Sequence, residues 1–278
     1  VIKQKTIKDP VVIEGIGLQT GSKTKLNFKG APANSGINFI RVDLPNKPLL
    51  NIQSLSFDKS MGNSRRTTLS VGPVQVQTIE HLLAALSGLG INNIIVETDG
   101  VELPGLDGSA KEYVTTLEKA GIVEQDAPLR TITVEKEIWC SDKDSFLAIF
   151  PYNGLRVSYF LSYPTPSIGE QFLSLEISEE VFKRDIAPAR TFCVVGEALV
   201  LLALGFGKGS CSKNTLIMGK RGPVGNNLRF PDEPVRHKIL DLLGDLYLVG
   251  MPLIGHVIAV KSGHKLNMEM VKKLKEKI

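Results

Sequence analysis

Cysteine is scarce in this chain, and the three present, Cys140, Cys193 and Cys211, are widely spaced. An odd number with no CxxC pair offers no disulfide framework and fits a reducing compartment. Long apolar runs are missing as well: the stretch around 199–206 is far too short to span a bilayer. No signal-peptide pattern precedes the first strand-like segment, so a soluble cytoplasmic protein without a transmembrane segment is the simplest expectation. No stripe of Arg and Lys interleaved with aromatics is present and the formal net charge is only +4, which leaves nucleic acid without a footprint. Histidine is confined to four positions, His81, His237, His256 and His264, so imidazole chemistry has few candidates.

What is there suits a globular protein. With 278 residues, 42% of them hydrophobic and 22% charged, the chain has room for one large domain or two ordinary ones. Short alternating segments at 3–7, 11–14, 23–28 and 37–42 read as strands separated by Gly, Pro and Asn. Ile79, Leu82, Leu83 and Leu86 follow the helical period, which predicts a helix over 77–89 ended by Gly88 and Gly90. A strand at 93–98 and an amphipathic helix at 110–120 follow. Residues 124–129 carry Asp126 and Pro128 without periodicity and are read as a boundary, giving domains 1–127 and 128–278. Beyond it come strands at 130–135, 146–150 and 156–161, helices at 192–204 and 233–249, a strand at 254–261 and a basic closing helix at 267–277. Strands then helices, twice, predict two α+β domains, with no internal repeat visible by eye. Lys272, Lys273, Lys275 and Lys277 read as the solvated face of the last helix.

Three short stretches carry potential chemistry. His237 and Asp241 are four apart on the predicted 233–249 helix, so both project from one face, with Asp245 a turn further along. Imidazole and carboxylate at this spacing can share a divalent ion, and mixed N/O ligands suit catalytic zinc. An H-x3-D pair is also what a helix-surface ion pair looks like. Glu80 and His81 are adjacent, hence about 100° apart around a helix axis, which suits a metal ligand beside a base. A capping Glu next to a half-buried His fits the same residues, and no H-E-x-x-H motif occurs. Finally, Gly263-His264 follows a predicted strand, leaving His264 exposed at a rim as a general acid or a plain surface residue. One metal joining His81 to His237 and Asp241 would lie between the two domains, a favoured place for a pocket.

Several ordered motifs resemble the UDP-3-O-acyl-N-acetylglucosamine deacetylase family along essentially the whole chain. They are Gly15-Ile16-Gly17-Leu18-Gln19-Thr20-Gly21, Thr78-Ile79-Glu80-His81-Leu82-Leu83-Ala84-Ala85-Leu86 and Leu103-Pro104-Gly105-Leu106-Asp107-Gly108-Ser109-Ala110 in the first half. The second half adds Ala189-Arg190-Thr191-Phe192, Leu228-Arg229-Phe230 through Glu233, Arg236-His237-Lys238-Ile239-Leu240-Asp241-Leu242-Leu243-Gly244-Asp245-Leu246 and Lys261-Ser262-Gly263-His264. The resemblance implies two similar α+β domains with their helices sandwiched between two sheets, and removal of an N-acetyl group from an acylated UDP-amino-sugar, the committed step of lipid A synthesis. It implies zinc held by His81, His237 and Asp241 with water as fourth ligand, Glu80 as general base and His264 as general acid or electrostatic partner. Thr191 would donate to the oxyanion, Asp245 would orient His264, and Lys238 would lie near the nucleotide phosphates. It further implies a βαβ insert near 192–216 forming an apolar passage for the acyl chain, with Phe192, Leu18 and Cys211 among the substrate contacts, and a monomer.

Two departures stand out. Many members read Gly-Gly-Ser-Leu-Asp-Asn where this chain has Gly207-Lys208-Gly209-Ser210-Cys211-Ser212-Lys213-Asn214, so a Lys replaces the usual Asp and a cysteine enters the stretch. Gly105 stands where a larger residue is usual. Alternative readings are a zinc amidase acting on another N-acyl substrate, and a non-catalytic sugar-nucleotide or lipid-binding module with a structural His/Asp cluster.

Overall fold

The architecture is taken from a computed structural model, which describes residues 2–53 and 66–277. The first half runs β1 (Lys3–Ile7), β2 (Val11–Ile16), β3 (Lys23–Gly30), β4 (Ile37–Arg41), β5 (Leu49–Asn51), β6 (Thr68–Val71), β7 (Val74–Gln77), α1 (Glu80–Leu89), β8 (Ile94–Thr98), α2 (Lys111–Lys119) and β9 (Ile122–Pro128). The period of two is plain in β3, where Thr24, Leu26 and Phe28 are buried while Lys23 and Lys25 face solvent. Five of these strands form one sheet in the order β2-β3-β8-β4-β5, with β8 antiparallel to β3 and parallel to β4.

The second half runs β10 (Ile132–Thr133), β11 (Ile138–Asp142), β12 (Ser145–Phe150), β13 (Leu155–Ser162), β14 (Glu170–Glu176), α3 (Glu179–Val181), β15 (Phe192–Val194), α4 (Val195–Ala203), β16 (Leu216–Gly219), β17 (Gly222–Pro223), α5 (Glu233–Leu246), β18 (Leu253–Val260) and α6 (His264–Lys275). Its main sheet has the order β11-β12-β18-β13-β14, with β18 antiparallel to β12 and parallel to β13. This is the strand plan of the first half over again. In each, an outer hairpin comes first, the last strand enters the middle, and one helix precedes and one follows that strand (α1 and α2, then α5 and α6). The α+β reading holds, and the chain carries an internal repetition of topology that is invisible in its residues.

The equivalent helices α1 and α5 pack on one another. α1 is apolar on nearly every side: Leu82, Leu83, Ala84, Ala85 and Leu86 are all fully buried, as are Ile239, Leu240 and Leu242 of α5. A helix without a polar face belongs between layers. The backbones approach closely because α5 carries Gly244 at the crossing, where an added Cβ would lie 2.0 Å from the carbonyl oxygen of Glu80. A glycine inside a helix costs about 1 kcal/mol relative to alanine, and here it admits the partner backbone.

Four expectations need correction. Residues 124–129, read as lacking periodicity, are strand as far as Pro128, the last residue of β9, which pairs antiparallel with β1. Residues 192–204 are not one helix: Phe192–Val194 form β15, parallel to β16, and only then does α4 begin. Within 130–135 only β10 is strand. The closing helix starts at His264, three residues earlier than expected. Among the described residues no helix is long and apolar enough to cross a membrane.

Candidate active site

The α1–α5 crossing sets the site. Glu80 and His81 open α1, and His237, Asp241 and Asp245 lie along α5. His81, His237 and Asp241 are all buried, and each offers a ligand atom within 4.8 Å of the others. His81 Nε2 lies 3.8 Å and His237 Nε2 3.3 Å from Asp241 Oδ1. The two imidazoles meet edge to face, at 5.1 Å between centroids. His237 Nδ1 lies 3.0 Å from the carbonyl oxygen of Ala189. A carbonyl can only accept, so the proton sits on Nδ1 and Nε2 keeps its lone pair for a metal.

Electrostatics prepares the same donors. Burial, with His237 beside it, pushes the His81 imidazole down to about 3, and burial lowers His237 as well. Both rings are therefore neutral near pH 7. Burial opposes ionisation of Asp241, but Lys238 and the neighbouring histidines hold its carboxyl far below the usual range. Lys238 Nζ donates to Asp241 Oδ2 at 2.8 Å, leaving Oδ1 between the histidines. Burial opposes the charged form of Lys238 too, and the Asp241 carboxylate outweighs it. Two neutral imidazoles and a carboxylate, all deprotonated and converging, fit a divalent transition metal with no rearrangement of protonation.

Two further titratable groups, Glu80 and His264, flank this cluster. Burial pushes the Glu80 carboxyl up to about 7, with His264 opposing the rise and Asp241 and Asp245 adding to it. His264 is not the exposed rim residue its glycine-flanked sequence suggested: as first residue of α6 its side chain is only 10% exposed. Its Nδ1 lies 2.7 Å from Asp245 Oδ2. Burial lowers its pKa, but the charge and hydrogen bond of Asp245 outweigh that and raise it to about 9. Asp245 also accepts from Thr67 Oγ1 and from Asn267 Nδ2, the latter at 2.8 Å. Neither Thr67 nor Asn267 was singled out from sequence.

A cavity of about 480 Å³ opens onto His237, Asp241 and His264. His237, Lys238, Asp241 and His264 line its polar end together with Thr191. Phe192, Ile217 and Leu18 line it further on, with Ala198, Leu201 and Leu202 from α4. Phe192 also meets the His237 ring at 6.4 Å between centroids. Leu18 explains Gly105: a Cβ there would lie 2.2 Å from Leu18 Cγ, so the small residue makes room for a cavity-lining side chain. The loop carrying Leu18 is pinned by buried Glu102, which accepts from Gln19 N, Thr20 N and Thr20 Oγ1 at 2.7–2.9 Å. Cys211 does not join the lining. It is exposed, its backbone N–H turned back onto Asn214, while Ser210 and Cys193 face the cavity. His256 lies apart on β18, 2.8 Å from Ser158 Oγ.

Residues 4–276 match a sequence model of the family described as UDP-3-O-acyl N-acetylglycosamine deacetylase. This chain belongs to that family. It is 40% identical over 272 residues to the UDP-3-O-acyl-N-acetylglucosamine deacetylase of Bdellovibrio bacteriovorus, covering 98% of this chain and 89% of that protein. The protein of the same name from Thermodesulfovibrio yellowstonii is 42% identical, covering 98% of this chain and 92% of its own length. That of Chlamydia pneumoniae is 41% identical, covering 98% and 97%. Family membership therefore spans the segments that meet at the site, from Leu18 to His264.

One further support lies behind the His81–His237–Asp241 cluster. Arg190, between Ala189 and Thr191, is almost fully buried and pairs with fully buried Glu233 through Nε at 2.9 Å. Glu233 also accepts the backbone N–H groups of Arg190 and Arg229, at 3.0 and 2.6 Å. The pair thereby fixes the strand entry that offers the Ala189 carbonyl to His237.

Proposed function

We propose that this protein hydrolyses the N-acetyl group of a UDP-3-O-acyl-N-acetylglucosamine, releasing acetate and the free amine, as a step of lipid A synthesis. The observation that carries this reading is the buried His81–His237–Asp241 cluster, flanked by a carboxyl raised to about 7 and an imidazolium raised to about 9. Family membership supplies the substrate class, since the related proteins carry that substrate in their names.

Zinc is the metal this donor set suits, two imidazoles and one carboxylate being a common catalytic zinc environment. When bound, zinc supplies the Lewis acidity that lowers the pKa of water from about 16 to about 7 and polarises the amide carbonyl. The chain's own residues do the rest. Glu80, poised near neutrality, takes the proton of the attacking water. Charge then develops on the former carbonyl oxygen, and Thr191, which lines the cavity, would donate its hydroxyl to it. One well-placed donor of this kind is typically worth about 3–4 kcal/mol. The amine leaves only with a proton, which His264 carries at neutral pH because Asp245 holds its ring charged. Lys238 retains N–H donors beyond the one given to Asp241, and these suit the diphosphate of the nucleotide.

The apolar side of the cavity suits the acyl chain. Leu201, Leu202 and Ala198 of α4 face it with Phe192 and Ile217, and each CH2 buried there contributes about 0.8 kcal/mol. We place the reaction in the cytoplasm, which suits the odd number and wide spacing of Cys140, Cys193 and Cys211. Acetate release from the acylated UDP-sugar, measured against simple N-acetyl peptides, tests the assignment. Turnover of the sugar nucleotide alone supports it, and equal turnover of the peptides would replace it with a general amidase.

A further inference from the structure

Thr67, immediately before β6, belongs to none of the motifs that build the site, yet it touches both members of the acid–base pair. It is fully buried. Its backbone N–H donates to Glu80 Oε2 at 3.0 Å. Its hydroxyl donates to Asp245 Oδ1, and His264 Nδ1 lies 3.2 Å from the same hydroxyl oxygen.

The proton positions follow from what each group can do. A carboxylate only accepts, so the single hydroxyl hydrogen of Thr67 goes to Asp245 and an oxygen lone pair faces the imidazole. The N–H at His264 Nδ1 then has Asp245 Oδ2 at 2.7 Å and Thr67 Oγ1 on the same side. That keeps a proton on Nδ1 and assigns Nε2 to exchange with substrate. On the other side, one of the two oxygens of Glu80 is committed to the Thr67 backbone, which restricts rotation of the carboxylate. Thr67 itself is clamped, because its carbonyl accepts the N–H of Thr78 at 2.9 Å. Thr78 sits at φ 59 in the turn that leads from β7 into α1.

We propose that Thr67 is a positioning residue for the reaction: a single amino acid sets the Glu80 carboxylate through its backbone and the Asp245–His264 pair through its side chain. The proposal builds on the roles given above to Glu80 and His264. It separates two contacts chemically, since side-chain substitution removes the hydroxyl bonds and leaves the N–H to Glu80 in place.

The test is steady-state kinetics of the zinc-loaded protein on the acylated UDP-sugar. Thr67→Val keeps shape and backbone donor but lacks the hydroxyl; kcat is expected to fall roughly 10- to 100-fold, the usual cost of removing a supporting bond behind a site residue, while KM stays within about twofold. Thr67→Ser, which restores the hydroxyl, is expected to recover most of kcat. Retained kcat in Thr67→Val, a rise in KM at unchanged kcat, or a serine variant as slow as the valine variant would each overturn the proposal. Melting temperature and zinc content verify that each variant is folded and loaded. Should the valine variant fail to fold, Thr67→Cys, similar in size with a weaker donor, takes the same reading: a kcat loss at unchanged KM supports the proposal and full kcat overturns it. Glu80→Gln assayed alongside keeps the two levels apart. If it retains turnover, the assignment of the base fails; if it is inactive while Thr67→Val is normal, only the role of Thr67 fails.

Discussion

Gly244 of α5 lies against the backbone of Glu80 in α1 so closely that a Cβ would come within 2.0 Å of the Glu80 carbonyl oxygen. The contact is between backbones, one in each half of the chain, and it sits at the level of the site. His81 follows Glu80 on one side, while Asp241 and Asp245 flank Gly244 on the other. The closeness of His81 to His237 and Asp241 is thus a consequence of a missing side chain.

Gly244→Ala should show this directly. On an unhindered helix the change would stabilise by about 1 kcal/mol. Here the added carbon meets backbone that cannot rotate away, and overpacking of this kind typically costs about 1–3 kcal/mol. The expected result is a lower melting temperature together with a fall in turnover of about tenfold, since a displacement of the order of 1 Å already costs catalysis heavily. A variant as stable and active as the parent would show that the helices can part without disturbing the site.

Metal content tests the ligand set independently of turnover. His237→Ala is expected to lose most bound zinc while the far-ultraviolet dichroism of the parent is retained, and His81→Ala likewise. Elemental analysis reads the outcome, and full zinc occupancy in either variant would remove that residue from the set.

If His264 supplies the proton to the leaving amine as proposed, it should govern the alkaline side of the pH profile. Burial lowers its pKa, but Asp245 outweighs burial and carries it up to about 9. The proton is held through neutrality and lost as pH rises through about 9, so kcat/KM should decline there. In His264→Gln the residual activity should lack that limb. Stability follows the same sign. A pKa raised on folding means the native state holds the proton more tightly, so the contribution is complete below the unfolded value of about 6.5 and fades as pH climbs to about 9. Urea titrations between these limits should lose stability with rising pH in the parent and less in the variant.

Arg190 and Glu233 form a nearly solvent-free ion pair whose carboxylate also caps two backbone N–H groups. Removing one partner leaves the other charge buried and alone. Glu233→Ala should therefore cost about 3–5 kcal/mol in denaturant unfolding, and a loss below about 1 kcal/mol would assign the pair no structural weight.

Much of this was legible in the residues because it is local. β1 was placed at Lys3–Ile7, as found, and α1 declared itself by an apolar repeat ended by glycine. The spacing of His237 and Asp241, and the adjacency of Glu80 and His81, are likewise short-range patterns. What escaped depends on distant partners. Asp126 and Pro128 read as breakers because the strand that β9 pairs with lies more than a hundred residues earlier. Phe192–Val194 became strand rather than helix through β16. Thr67 meets Asp245 across 178 residues, and no spacing rule connects them. Gly263 before His264 looked like the tip of a loop, whereas it occupies the N-cap of α6 in an extended conformation. Cys211 was expected among the substrate contacts; it is exposed, and its neighbour Ser210 lines the cavity.

In the proposed reaction the Glu80 carboxylate, beside His81, His237 and Asp241, removes a proton from water during amide cleavage. Zinc content and acetate release should be measured together on the parent and on Glu80→Gln with the acylated UDP-sugar. One equivalent of zinc in both, with turnover reduced by about 100-fold or more in the variant, is the predicted result. Near-normal turnover in the zinc-loaded variant, or a parent that binds no zinc yet remains active, would contradict the account.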